Sequence, residues 1–269
     1  MALLLLLGLS VAMACSGATD GTAEERLQRI YELDKADQVV VAIHDVSRDS
    51  EAYLFEDLPA GTQLDPSYEA SLELCQGFDP APRTRDDEKE DVGQKIEAFL
   101  NSIGEKPVIR FVLEETGTTL ENLKAGWFGP GRGFEHIFCG EARGDGRVGG
   151  YHWWYKFYEE ERQGLVDYEH TIEGRGDPGI ATIRFTWDPD GSGNTFQPLA
   201  KPIGGFTIGD SPAALLALGH LALRLGLDRD REGKPGLVAN INGVPYRWVI
   251  VVDRASRSLV TLYPLANRP

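Results

Sequence analysis

GFEHIFCGEARGDGRVGGYHWWYKFY, residues 133–158, holds two of the chain's five histidines, His136 and His152, among glycines and aromatics rather than in an even apolar stripe. GFEHIFCGE alternates apolar and polar side chains, which predicts a strand over 134–139 leading to Glu141. YHWWYKFY opens a helix predicted over 151–163, its aromatics facing a core. A single histidine in either setting is ordinarily a packed residue bonded to a neighbour. Two of them sixteen positions apart, each at a turn or element edge, also suit an acid/base pair, because imidazole titrates near neutral pH.

The texture of the chain changes just before this stretch. On its N-terminal side, helical spacing runs over 23–36, 66–77, 94–104 and 106–117, with a charged loop or solvated first turn at 79–92 and one strand expected over 38–46. On its C-terminal side come glycine-punctuated strands near 166–173, 180–187, 203–209, 236–241, 245–252 and 258–263. A helix is predicted over 211–225, and Asn242-Gly243 marks a hairpin turn. The outline is α+β: a helical N-terminal layer over 23–128, followed by a mostly antiparallel β region over 129–269.

Composition narrows the function classes. The net charge is −15, of which residues 16–128 carry −14 and residues 129–269 only −1. That balance argues against a protein that coats nucleic acid electrostatically, and it locates any phosphate site in the C-terminal half. The run MALLLLLGLSVAMAC (1–15) reads as a secretory signal, its small residues before Cys15 resembling a bacterial lipoprotein cleavage site; 16–22 follows as a tether. The expected location is therefore exported, secreted or anchored to a membrane through a lipid on Cys15. Cys75 and Cys139 remain, either paired in an oxidising compartment or free and buried. No CxxC, HExxH or EF-hand spacing indicates a dedicated metal site.

Two more stretches carry chemistry. QPLAKPIGGFTIGDSP (197–212) places Lys201 after a loop and before a strand, and SLVTLYPL (258–265) places Thr261 and Tyr263 two apart on one strand face. Each alone is unremarkable, a solvated lysine and a packed tyrosine. Taken in order, GFEHIFCGE (133–141), GYHWWYKFY (150–158), KPIGGFTIGDSP (201–212) and TLYP (261–264) resemble the EndoU-type, poly(U)-preferring endoribonucleases. IYELDKAD, DPSYEASLEL and IEAFLNSI in the helical half are similar to that family's N-terminal pattern, so the likeness covers most of residues 23–266.

The resemblance implies cleavage of single-stranded RNA, not DNA, because the substrate's own 2′-hydroxyl attacks the phosphate. It implies His152 as general base, His136 as general acid and Lys201 as the cation that stabilises the phosphorane. The products would be a 2′,3′-cyclic phosphate and a 5′-hydroxyl. Tyr263 and Thr261 match nucleotide-supporting residues, and Glu135 and Glu141 match acids that orient the imidazole. No cofactor is required by this chemistry, although some members of the family respond to Mn²⁺. Three departures bear on function, one being that the family's SPEFE-like helix start is SPAAL (211–215) here, without its acids. Trp153 replaces the family asparagine after the second histidine, and Gly205 stands where a serine tied to uracil recognition is common, which leaves base preference open. An exported RNA- or ligand-binding module that keeps the fold without turnover is the alternative, favoured by the acidic half, Trp153 and Gly205.

The remaining candidates carry less. His220 in LLALGHLALRL reads as helix packing, and His44 and His170 have no partner pattern. Lys156 and the run EEER (159–162) read as a solvated helix face. A serine or cysteine hydrolase is disfavoured, since the chain lacks a nucleophile elbow and Cys139 lacks an electropositive setting.

Overall fold

A computed structural model describes residues 21–44, 53–81, 90–173, 179–191, 197–227, 238–241 and 244–266. The expected signal at 1–15 with Cys15, the tether up to residue 20 and the Asn242-Gly243 turn lie outside the described residues.

The helical half begins with α1 (Ala23–Asp34), whose start is fixed by a capping box in which Thr22 and Glu25 satisfy each other's backbone N–H. In α2 (Pro66–Cys75), Asp65 caps the first turn and Pro66 occupies the position whose N–H would be unpaired anyway. Then come α3 (Glu90–Ile103), α4 (Pro107–Thr116), which ends at Gly117 in the left-handed region, and α5 (Leu120–Phe128), a helix the sequence reading did not assign. The expected strand over 38–46 is reduced, among its described residues, to a single bridge between Ile43 and Phe55. Val40 is 84% exposed, so this apolar run has no sheet face to bury and forms no ladder.

The predicted strand over 134–139 is instead one turn of π-helix, Glu135–Cys139, closed by the Gly140 N–H donating to the Glu135 carbonyl at 2.9 Å. The correction has a visible cause. Phe134, Ile137 and Phe138 are all fully buried, an i, i+3, i+4 spacing that belongs to a helix. Phe134 and Phe138 stack with centroids 4.4 Å apart. A short hairpin follows, β1 (Glu141–Ala142) against β2 (Val148–Gly149), and then α6 (Trp154–Arg162).

The β region forms two three-stranded antiparallel sheets. One is β3 (Val166–Glu173), β4 (Ile180–Trp187) and β5 (Leu199–Thr207), in that order. The other is β6 (Val238–Ile241), β7 (Val244–Asp253) and β8 (Ser258–Ala266), and β6 pairs with β7 across the predicted turn through Ile241 opposite Val244. Strand β5 starts at Leu199 rather than near 203, so Lys201 lies within a strand, opposite Phe185, and not before one.

Helix α7 (Pro212–Leu225) is buried on every side over Pro212–Ala222, as its unbroken small and apolar sequence requires. Ser211 caps it, and buried Asp34 accepts from both the Ser211 N–H and hydroxyl, which ties α1 to the start of α7. Buried apolar side chains from both halves, Leu27 through Leu262, join in one cluster. Thus the helical layer and the sheets support the same interior.

Cys75 and Cys139 form a disulfide that links the C-terminal end of α2 to the π-helix carrying His136. The two residues are 64 positions apart, so the bond closes a long loop and restricts the unfolded chain. Replacing both by serine is expected to lower unfolding free energy by about 2–4 kcal/mol. Chemical denaturation of the oxidised protein and the double variant, without reductant, measures this directly.

Candidate active site

Two backbone hydrogen bonds bring the histidines together. The Tyr151 N–H donates to the His136 carbonyl (2.8 Å) and the His152 N–H to the Ile137 carbonyl (2.6 Å). Gly150 makes the approach possible. It adopts φ +58°, and a Cβ there would lie 1.6 Å from the His136 carbonyl oxygen, so no other residue fits without moving that backbone. The imidazole centroids end 6.2 Å apart.

The two rings have opposite surroundings. His152 is buried, and its Nδ1 lies 2.9 Å from the Gly205 carbonyl. A carbonyl only accepts, so Nδ1 carries the proton and Nε2 of the neutral ring keeps its lone pair. Burial, with the nearby Lys201 and His136 charges, pushes its pKa well below the ordinary 6.5. His152 is thereby held as a neutral acceptor. His136 is partly exposed, and its Nδ1 donates to Glu141 Oε1 at 2.8 Å. That bond, followed by the charges of His136, Arg132 and Arg143, holds the Glu141 carboxyl below its usual range despite its partial burial. An ionised Glu141 accepts from the ring and fixes its orientation.

Lys201 is buried beneath the second histidine's segment. Its ammonium donates to the Gly150 carbonyl at 2.6 Å and, more weakly, to the Val148 carbonyl at 3.4 Å. Burial lowers its pKa to about 8, with the Arg143 charge acting in the same direction and Glu141 opposing it. The carbonyls position the charge without neutralising it.

The other expected residues divide. Tyr263 on β8 stacks on His152, centroids 4.3 Å apart and rings inclined by 13°. It was expected to support a nucleotide; here one face of its ring packs on the histidine. Thr261 lies two residues earlier on β8, with a buried hydroxyl that has no bonding partner among the described residues. Gly205 was read as a substrate residue, and the structure gives it a different task. Its carbonyl orients His152, and a Cβ would stand 2.7 Å from the Pro264 carbonyl, so glycine permits the close pass of β5 and β8. Glu135 was read as orienting the imidazole, yet its carboxylate forms a two-point pair with the Arg132 guanidinium. Glu141 bonds His136 through Nδ1. Among the described residues no group of three or more His, Cys, Asp or Glu side chains could hold a metal ion.

Two further expectations are corrected nearby. Lys156 is buried rather than solvated: it pairs with Glu160, and its ammonium lies 5.0 Å from the Tyr151 ring centroid. Glu161, in the supposed solvated run, is buried and accepts the Leu54 N–H at 2.6 Å. Tyr151 and Trp187 lie against Lys156 and the Leu54 backbone meets Glu161, and charge alone does not reveal which helix face is covered. Trp153 is buried against Phe138, while His152 keeps its Gly205 bond without the family asparagine. His220 packs inside α7, bonded to the Thr118 hydroxyl at 2.8 Å. Sequence reasoning missed the backbone contributors, Gly150 and the Gly205 carbonyl; the Gly149-Gly150 pair just before His152 was the available signal.

An NMR titration tests these electrostatics. His152 is expected to remain the neutral Nδ1–H tautomer through the neutral range, and Lys201 to lose its proton around pH 8. A His152 signal moving near pH 6.5 would contradict the buried environment described here.

Known proteins place this geometry. The family model described as Endoribonuclease XendoU matches residues 124–264. The uridylate-specific endoribonuclease of Homo sapiens is 37% identical over 111 residues, spanning 37% of this chain and 25% of that protein. The protein of the same name from Bos taurus is 30% identical over 174 residues, spanning 57% of this chain and 40% of its own length. The poly(U)-specific endoribonuclease-B of Xenopus laevis is 28% identical over 141 residues. The chain thus spans a quarter to about two fifths of the curated relatives it matches. The solved structure of XendoU, described as a splicing independent snoRNA processing endoribonuclease, superposes with a TM-score of 0.64 at 19% identity, covering 91% of this chain and 97% of that one, which establishes a shared fold. With the family model matching more than half of its length, the chain belongs to the XendoU endoribonuclease family.

Proposed function

We propose that this protein is an endoribonuclease that cleaves single-stranded RNA by transphosphorylation. The observation that carries the proposal is the pairing of unlike imidazoles, one bonded through Nδ1 to a carbonyl and the other to a carboxylate. In this mechanism Nε2 of His152 takes the proton from the ribose 2′-hydroxyl, and the 2′-oxygen attacks the adjacent phosphorus. As the P–O5′ bond breaks, the departing oxygen takes a proton from Nε2 of His136, whose ring Glu141 orients through Nδ1. Lys201 faces the charge that gathers on the phosphorane oxygens, a preorganised contribution of the kind that often dominates catalysis. The products are a 2′,3′-cyclic phosphate and a 5′-hydroxyl, and every proton is accounted for by the two rings. Tyr263 keeps the His152 ring in plane for the first transfer.

The uridylate preference in the names of the relatives supports uridine as the favoured base, while Gly205 removes the serine hydroxyl associated with that choice. Export is part of the same proposal, supported by the Cys75–Cys139 bond, which an oxidising compartment preserves. The binding-module alternative rests on Trp153 and Gly205, and the preserved His152 geometry weighs against it.

The purified protein, incubated with a mixed-base RNA oligonucleotide in EDTA and separately in Mn²⁺, is expected to yield cyclic-phosphate ends. An all-2′-deoxy oligonucleotide is expected to stay intact, and His152→Ala to lose roughly 10²- to 10⁴-fold in rate. Binding without any cleavage in either condition would favour the binding module, and sequencing the cut ends decides base preference.

The pH dependence follows from the same groups. The base works only when neutral, so its depressed pKa puts the acid limb set by His152 below 6.5. The alkaline limb is expected around pH 8, where Lys201 loses its charge. A kcat/KM profile measured from acid to alkaline pH checks both limbs.

A further inference from the structure

The base of the β1–β2 hairpin belongs to the candidate active site: Glu141 at the end of β1 holds His136, and Gly150 just after β2 holds Lys201. Its tip is part of neither bond. There Arg143 and Arg147 face each other across the turn, the Arg143 N–H donating to the Arg147 carbonyl at 2.8 Å. Both side chains are well exposed, 60% and 62%, and the Asp145 carboxylate between them lies at the outer reach of an ion pair, 3.9 and 4.0 Å away. The tip does not wave free. The Ala200 N–H donates to the Gly146 carbonyl at 3.1 Å, and Arg147 bridges to Ala200, the residue before Lys201. The hairpin backbone that bears the two arginines is therefore tied to the strand that carries Lys201. The Arg143 charge is felt at both Glu141 and Lys201.

An RNA strand crossing this site carries a negative charge at every nucleotide, and the protein itself carries −15. Approach is unfavourable unless local cations flank the scissile phosphate. Guanidinium suits the task, since its planar fork matches two phosphate oxygens and keeps its charge at every relevant pH. We propose that Arg143 and Arg147 form a subsite for an RNA phosphate adjacent to the scissile one. This rests on the ribonuclease reading of the site and adds to it the part that holds the strand. Contacts of this kind position the strand and do not read its bases. The subsite is accordingly indifferent to sequence, and any uridine preference arises elsewhere.

Two arms separate the subsite from the chemistry. In the first, wild type, Arg143→Gln, Arg147→Gln and the double variant bind a fluorescent 2′-O-methyl decanucleotide, which cannot be cleaved, across a salt series. Each substitution is expected to weaken binding to all sequences alike and to flatten the slope of log K against log salt by about 0.7. In the second arm, kcat/KM on a decanucleotide is expected to fall several times more than on a dinucleotide, which has the scissile phosphate alone, with the loss mainly in KM. An unchanged salt slope overturns the subsite. So does an equal penalty on both substrate lengths, which would mean that the arginines act only through Lys201. If the wild type cleaves neither substrate, the ribonuclease proposal fails, and the binding slopes still decide whether the hairpin holds a phosphate.

Discussion

Everything chemical in this molecule depends on two short main-chain hydrogen bonds, from Tyr151 and His152 to the carbonyls of His136 and Ile137. They fix the spacing of two imidazoles that come from different elements, a π-helical turn and the entry to α6. Side-chain contacts alone would leave each ring several rotamers. Here the backbones are joined first, and the rings then take their orientation from Gly205 and Glu141. Gly150 enters the arrangement twice. Its missing Cβ lets the two segments touch, and its carbonyl receives the Lys201 ammonium. One residue without a side chain thus sets the positions of all three groups.

The rest of the fold keeps that junction rigid and dry. The π-helical turn is held from beneath by Phe134 and Phe138, and at its end by the disulfide to α2. On the other side, α6 sets Trp153 and Trp154 into the interior, with the Trp154 indole donating to the Asp210 carbonyl at 2.9 Å. Burial has a chemical consequence as well as a mechanical one. It disfavours charge on His152 and on Lys201, yet the two carbonyls around Lys201 hold its ammonium in place. The outcome is a neutral acceptor next to a cation, a combination that two solvated groups would not keep at fixed geometry. Partial exposure leaves His136 with its carboxylate as the group in contact with water.

How far the sequence was legible depends on which physical rule each segment obeys. The helices of the N-terminal half carried their own signals, such as Thr22 with Glu25 and Asp65 with Pro66, and structure follows them closely. The paired strands from β3 to β8 were visible because alternation and turn residues agreed. The stretch 134–139 was misread because six residues offer too short a window to distinguish period two from i, i+3, i+4; the burial of Phe134, Ile137 and Phe138 decides it. Lys156 and Glu161 were misread for another reason. A charged residue is solvated by default, and only the tertiary placement of Tyr151, Trp187 and Leu54 supplies the partners that bury these two.

The site shows the same division more sharply. His136, His152 and Lys201 could be singled out because side-chain chemistry is written in residue identity. His136 is oriented by the Glu141 carboxylate, but the groups that orient His152 and Lys201 are carbonyls of Gly205, Gly150 and Val148, and a carbonyl is common to every residue, so no pattern of side chains announces it. What a sequence does record is the space such a carbonyl needs, and both key positions are glycines with no room for a Cβ. This changes the meaning of the departure at Gly205. Viewed as a missing serine, it weakens a case for base recognition. Viewed in the fold, it is the position whose carbonyl accepts from Nδ1 of His152 and leaves Nε2 as a free acceptor, while β8 passes too close for a side chain. The glycine that looks like a loss of specificity is, in this chain, compatible with an intact proton acceptor on His152.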